Sequence, residues 1–267
     1  MTKKLLFVVL VMAFGFYTYF LSQSDKKVAL KEEITETDLE NVKEDANQFF
    51  REISQDGIVY RYSYAKVQDN VVLLPNFDNR LTSAEIINKY NCDYGVNGGF
   101  YTQANMPLGL FYTDGAFLGQ NIVSNTFNAY FAKNINDKKL RILSSVDDEN
   151  IENSFEFIFQ TGPLFDITSD FSISFADRQY ARRSILARDI DNNFYFFSIF
   201  DKESRFSGPR LEDIPIIFKS EDLQTIANFV EVLNLDGGSA SAFYDKSTNT
   251  KIGEITPIGS FLCAIIK

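Results

Sequence analysis

Histidine and tryptophan are both missing from the 267 residues. Without histidine there is no Ser-His-Asp or Cys-His relay, no HExxH zinc site and no imidazole-ligated iron. Acid–base chemistry must therefore run on carboxylates, Lys, Tyr, Cys or water. Basic charge is also scarce: 26 Lys and Arg face 36 Asp and Glu, for a net charge of −10. Neutralising a nucleic-acid backbone needs clustered cations, so the acidic balance excludes a general nucleic-acid binder. Cysteine is limited to Cys92 and Cys263. An oxidising compartment would permit one bridge between them, but two buried thiols are the expectation. What is abundant is apolar. The hydrophobic share is 45%, and 27 Phe with 13 Tyr supply the core that tryptophan does not. Disorder is excluded for the bulk of the chain.

Lys3 and Lys4 precede an apolar run from Leu5 to Leu21, closed by Ser22-Gln23-Ser24-Asp25-Lys26-Lys27. A basic flank before an apolar stretch is an export signal. The run of roughly 17 residues is at the short end for a membrane span. No small-residue cleavage site stands out, because Tyr17, Tyr19 and Phe20 crowd its end. The reading is an uncleaved signal anchor over residues 1–27, attached to the cell membrane with the body outside the cytoplasm. A cleaved signal peptide, giving a secreted or periplasmic protein, is the alternative. Residues 28–56 read as a linker running into an amphipathic helix, on the spacing of Leu30, Ile34, Leu39, Val42, Ala46, Phe49 and Phe50.

Residues 57–267 then change texture. Short β-rich runs at 58–62, 71–74, 127–132, 155–159, 184–187, 194–200, 232–235 and 258–266 are split by polar turns. Thr82 or Ser83 can cap a helix through Tyr90, and Ser220 can open another from Glu221 to about Phe229. The expected fold class is α+β: one domain with a mixed, largely antiparallel sheet and flanking helices behind the N-terminal membrane anchor.

Four polar clusters sit beside the apolar runs: Asn97-Gly98-Gly99-Phe100-Tyr101, Gln160-Thr161-Gly162-Pro163-Leu164, Arg182-Arg183-Ser184 and Asn234-Leu235-Asp236-Gly237-Gly238-Ser239. Locally each has a plain reading. Asp236-Gly237 can be a hairpin turn, Asn97-Gly98-Gly99 a bulge, Gly162-Pro163 a strand-ending turn, and the arginines a surface ion pair. Each also has a chemical reading. Paired glycines let backbone amides approach an anion. An aspartate at a strand end can serve as acid or base, and a guanidinium binds phosphate with two parallel hydrogen bonds. Alternation along a strand lets only one of Arg182 and Arg183 face a given cleft.

In this order, over about residues 60–267, the four clusters resemble the phosphodiester glycosidase family. It departs from that pattern at Ser239, where a third glycine is usual, and at Ala187, where a glycine is usual near the end of the arginine strand. The resemblance implies hydrolysis of a sugar-1-phosphodiester at the anomeric carbon. It implies Asp236 as acid/base and Arg183 on the phosphate, with Arg182 as second choice. Asn97, Gly98, Gly99, Gly162, Gly237, Gly238 and Ser239 would line the substrate. Phe100 would be core and Tyr101 a cleft wall. Asp93, Asp177 and Asp189 lie near the motifs as candidates for a second carboxylate. The partner would be a phosphodiester-linked glycan of the cell envelope. No cofactor is required; Asp and Asn oxygens would suit Ca²⁺ or Mg²⁺, but no EF-hand spacing exists and no metal ligands are assigned. The alternatives are a catalytically silent glycan-binding module and a metal-dependent phosphodiesterase cutting the P–O bond.

Overall fold

The computed structural model describes residues 49–169 and 179–266. The expected anchor over 1–27 and most of the linker and helix over 28–56 lie outside the described residues, as does Asp177. Among the described residues no helix is long and apolar enough to cross a membrane.

Three sheets form the body. The first runs, in spatial order, β1 (Arg51–Gln55), β2 (Ile58–Val67), β12 (Phe194–Asp201), β11 (Arg183–Asp189), β13 (Phe229–Asn234) and β10 (Leu164–Asp166). The second runs β15 (Thr250–Ile252), β14 (Phe243–Asp245), β4 (Tyr94–Asn97), β16 (Ser260–Ala264) and β3 (Val71–Pro75). The third runs β6 (Ala116–Gly119), β5 (Phe111–Thr113), β9 (Phe155–Thr161), β7 (Ala129–Asn134) and β8 (Leu140–Leu143). Every strand pairing is antiparallel. The helices are short: α1 (Ser83–Tyr90), α2 (Ile151–Ser154), α3 (Ile214–Lys219) and α4 (Glu221–Gln224). The expected antiparallel architecture in one domain is present, but as three sheets instead of one mixed sheet and with less helix than the sequence suggested.

The first sheet is buried on both faces, which is why β12 reads Phe-Tyr-Phe-Phe-Ser-Ile-Phe without polar alternation. One face sends Leu186, Phe196, Phe200 and Leu233 against Val96 and Leu262 of the second sheet and Phe131 and Phe159 of the third. The other sends Ile185, Phe197 and Val232 against Ile214, Phe218 and Leu223 of α3 and α4. Phe197, Phe218 and Phe229 meet edge to face at 5.0, 5.5 and 5.4 Å. Fully burying one such ring stabilises by about 1.5–3 kcal/mol relative to leaving it exposed.

Thr82 caps α1 as expected, in a reciprocal capping box with Glu85. Two expectations need correction, and one helix forms where no element was expected. The helix opened by Ser220 stops at Gln224, because Phe229 is drawn into β13 and its ring into the aromatic cluster. The strand-like run Ile214-Pro215-Ile216-Ile217-Phe218 forms α3, with Pro215 in its first turn, where a missing N–H costs nothing. Arg51–Gln55, inside the expected amphipathic helix, is strand β1, paired with β2 from Arg51↔Tyr62 to Gln55↔Ile58. The cysteines are also not free thiols. Cys92 and Cys263 form a disulfide with a Cα–Cα distance of 5.4 Å, inside the range a bridge accepts. Asn91 ends α1 in a left-handed turn, and β16 packs against that helix, so residues 171 apart in sequence meet.

Candidate active site

Three of the four clusters occupy places where the chain leaves one sheet for another. Asn97-Gly98-Gly99 follows β4 of the second sheet and leads toward β5 of the third. Gly162-Pro163 joins β9 of the third sheet to β10 of the first, through a cis peptide bond. Asp236-Gly237-Gly238 joins β13 of the first sheet to β14 of the second, so it is not a hairpin turn. Arg183 begins β11 and Arg182 directly precedes it, its carbonyl bonded by the Gly238 amide.

Asn97 ties the clusters together. Its Oδ1 accepts from Ser184 Oγ at 2.6 Å and from the Ala242 amide at 2.9 Å. Its Nδ2 donates to the Asp236 carbonyl at 2.7 Å and to the Gly98 carbonyl at 3.3 Å. The Asp236 amide returns a bond to the Gly98 carbonyl at 3.1 Å. Behind them, Thr161 Oγ1 donates to the Asn234 carbonyl at 2.9 Å, and Asn234 Nδ2 to the Gly162 carbonyl at 3.1 Å. All four clusters therefore converge.

The convergence reassigns several residues. Asn97 is 1% exposed and its amide is saturated, so it positions Asp236 and has nothing left for a sugar. Gly98 gives its N–H to the Ser260 carbonyl, and a Cβ there would stand 2.3 Å from Ser260 Oγ. A Cβ at Gly99 would meet the Phe159 ring at 2.9 Å. These two glycines permit strand packing, which leaves no room for substrate at their α-carbons. Gly162 has φ +152°, and a Cβ there would lie 2.2 Å from the Thr126 carbonyl; it too serves the sheet crossing. Gly237 N–H bonds the Asp236 carboxyl and Gly238 N–H bonds the Arg182 carbonyl at 2.7 Å, so this pair does not offer the expected anion-binding amides. Gly238 has φ +63°, the left-handed turn that opens a 3₁₀ segment over Gly238–Ala240.

The arginines point to opposite faces, as alternation requires. Arg182 is 2% exposed, and its Nη2 donates to the Ser241 and Gly253 carbonyls at 2.6 and 3.0 Å. Burial lowers its pKa to about 10, with Arg205 adding to the effect and Glu254 opposing it. It braces the loop after Asp236. Arg183 is half-buried. Its Nε donates to the Pro209 carbonyl at 2.9 Å and one Nη to the Gln179 carbonyl at 2.8 Å. Its other Nη comes within 3.9 Å of where a Cβ on Gly237 would stand. The Arg183 guanidinium thus flanks the aspartate loop.

Asp236 is half-buried at the junction. Loss of water around its carboxyl pushes the pKa up to about 7, opposed by the hydrogen bond from Gly237. A carboxyl that titrates near neutrality can give or take a proton at working pH. Tyr101 stands close by. Burial raises its phenol first; Thr256 opposes, Asp236 adds, and Arg80 opposes. Tyr101 Oη donates to the Pro257 carbonyl. Ser239 Oγ is 3.0 Å from Thr256 Oγ1, and the Ser239 carbonyl accepts the amides of Ile255 and Thr256 at 2.7 and 3.1 Å. Tyr101 is half-buried, and its ring packs against the interior clusters. Phe100 is half-buried and meets Phe127 edge to face, so it is not interior core. Arg80 and Thr256 were not foreseen; they lie in polar turns with no periodic or motif signal.

Of the other acids, Asp93 is held by Lys246 and the Ile266 amide at 2.7 and 2.8 Å. Asp189 ends β11 opposite Arg183, bound by Asn193 and Tyr195 at 2.8 and 3.0 Å. Neither joins Asp236. Among the described residues no group of three His, Cys, Asp or Glu could hold a metal ion.

No curated protein matches the sequence. Among solved structures, the catalytic domain of zebrafish N-acetylglucosamine-1-phosphodiester alpha-N-acetylglucosaminidase, auto-inhibited by its pro-peptide, is similar. Its TM-score is 0.60 at 16% identity, over 82% of each chain. A hypothetical protein from Synechocystis matches with TM-score 0.53 at 14% identity, over 82% of this chain and 61% of the other. These likenesses concern the fold. A family model described as phosphodiester glycosidase matches residues 90–264, which takes in all four clusters. The chain belongs to the phosphodiester glycosidase family.

Proposed function

We propose that the protein is an exported hydrolase that cleaves the bond between the anomeric carbon and the bridging oxygen of a sugar-1-phosphodiester. Family membership supports the hydrolase class. The observation that carries the mechanism is Asp236 with its pKa near 7, fixed by Asn97 and flanked by the Arg183 side chain. A phosphate monoester is an acidic leaving group, so little protonation is needed as the C–O bond breaks. Charge stabilisation by Arg183 supplies much of the rate. Ionised Asp236 takes a proton from the attacking water, and the sugar leaves with that hydroxyl. Ser239, Thr256 and Tyr101 offer hydroxyls to the sugar. The reaction as written needs no metal. The natural substrate would be a phosphodiester-linked envelope glycan, and the disulfide suits an oxidising compartment. The test is hydrolysis of a panel of glucose, mannose and N-acetylglucosamine 1-phosphodiesters. Release of free sugar by the wild type and its loss in Asp236→Asn are expected. Full activity in Asp236→Asn would overturn the mechanism.

A further inference from the structure

In a chain with net charge −10, a cation without a carboxylate partner stands out. Arg51 and Lys66 are two. Among the described residues neither forms an ion pair. Both line a cavity of about 240 Å³. It opens at Arg51, where β1 begins. β1 pairs with β2 only as far as Tyr62, and among the described residues no strand pairs with Ser63 to Val67 on that edge. The β14–β15 turn forms the facing wall, where Asp245 Oδ1 is turned into its own loop by Ser247 at 2.8 Å from the amide and 2.6 Å from the hydroxyl. Arg51 lies 4.7 Å over the Tyr64 ring and donates to Tyr64 Oη at 2.8 Å, which fixes its fork at the cavity rim. Tyr94 and Phe49 add further aromatic surface.

We propose that this cavity is a second ligand site, separate from the Asp236 junction, that takes a single sugar phosphate unit. The Arg51 guanidinium meets the phosphate through parallel hydrogen bonds, and Lys66, whose Nζ lies 5.7 Å from the Tyr195 ring centroid, adds positive charge at the cavity wall. Tyrosine faces suit the apolar side of a sugar ring while their hydroxyls stay wet. At about 240 Å³ the cavity has room for one sugar ring. Register separates the two sites. Tyr64 pairs with Phe197, Phe197 with Ile185 and Ile185 with Asn234, so three strand spacings of about 4.8 Å, about 14 Å, lie between them. One sugar cannot bridge that span.

Calorimetric titration of the full chain with glucose 6-phosphate, glucose and inorganic phosphate tests this. Glucose 6-phosphate is expected to bind at least tenfold more tightly than either control, and more weakly as salt rises. In Arg51→Gln/Lys66→Gln its affinity should fall at least tenfold, with the unfolding midpoint retained and hydrolysis of a small phosphodiester unchanged. No binding, equal binding by glucose, or undiminished binding in the double variant would overturn the proposal. Parallel loss of binding and turnover would place the ligand in the catalytic junction and overturn it as well. Because binding is read without turnover, failure here is distinct from failure of the hydrolase reading.

Discussion

Replacing Asp236 with asparagine should change stability in a pH-dependent way. The carboxyl has a pKa of about 7 in the folded chain against an ordinary 3.8. An acid whose folded pKa is raised holds its proton more tightly when folded. The stability this contributes is complete below about pH 4 and is lost as pH rises through 7. Each pKa unit is worth about 1.4 kcal/mol, so the full contribution is about 4 kcal/mol. Between pH 5 and pH 8 the wild type should lose about 3 kcal/mol through this group alone. The asparagine amide is neutral throughout and has no such slope. Urea denaturation of both proteins at each pH isolates the difference, since all other groups titrate alike. The variant should gain about 3 kcal/mol on the wild type from pH 5 to pH 8. In thermal melts that is about 6–12 °C for a domain of this size. A difference that stays flat over this range would mean that Asp236 is ionised and well solvated, and the acid/base assignment would lose its physical basis.

Other outcomes follow from the same geometry. Arg183→Ala should lower kcat/KM on a sugar-1-phosphodiester by about 10²–10³ in steady-state kinetics, and loss of its bonds to the Pro209 and Gln179 carbonyls should lower the melting temperature as well. Asn97→Ala strands the Ala242 amide and the Asp236 carbonyl, so it should cost about 2–5 kcal/mol in denaturant titration and shift the pH–rate profile. Converting Cys92 and Cys263 to alanine should cost about 2–5 kcal/mol, and reducing agent should lower the wild-type melting temperature by a comparable step.

The strands were legible where both faces of a sheet are buried, because β12 leaves no doubt of its state. Helix α3 was not, since Ile214, Ile216 and Ile217 carry strand propensity and only packing against Phe197 and Phe229 decides otherwise. The motifs located the junction, but residue type did not reveal which atoms were already engaged. Asn97, Gly237 and Gly238 read as ligand contacts from sequence, but Asn97 and Gly237 hold Asp236 in place and Gly238 spends its N–H on the Arg182 carbonyl. Arg182 and Arg183 are adjacent and alike in chemistry. Strand alternation predicted that they part, and burial decided that Arg182 braces the loop. Tyr101 comes near Asp236, and Thr256 near Ser239, only through chain crossings between sheets, which no local window contains.

The most direct test of the central claim is to run the hydrolysis in heavy-oxygen water and weigh both products. Cleavage at the anomeric carbon predicts the label in the sugar and none in the phosphate monoester. Label in the phosphate would show attack at phosphorus and contradict the account.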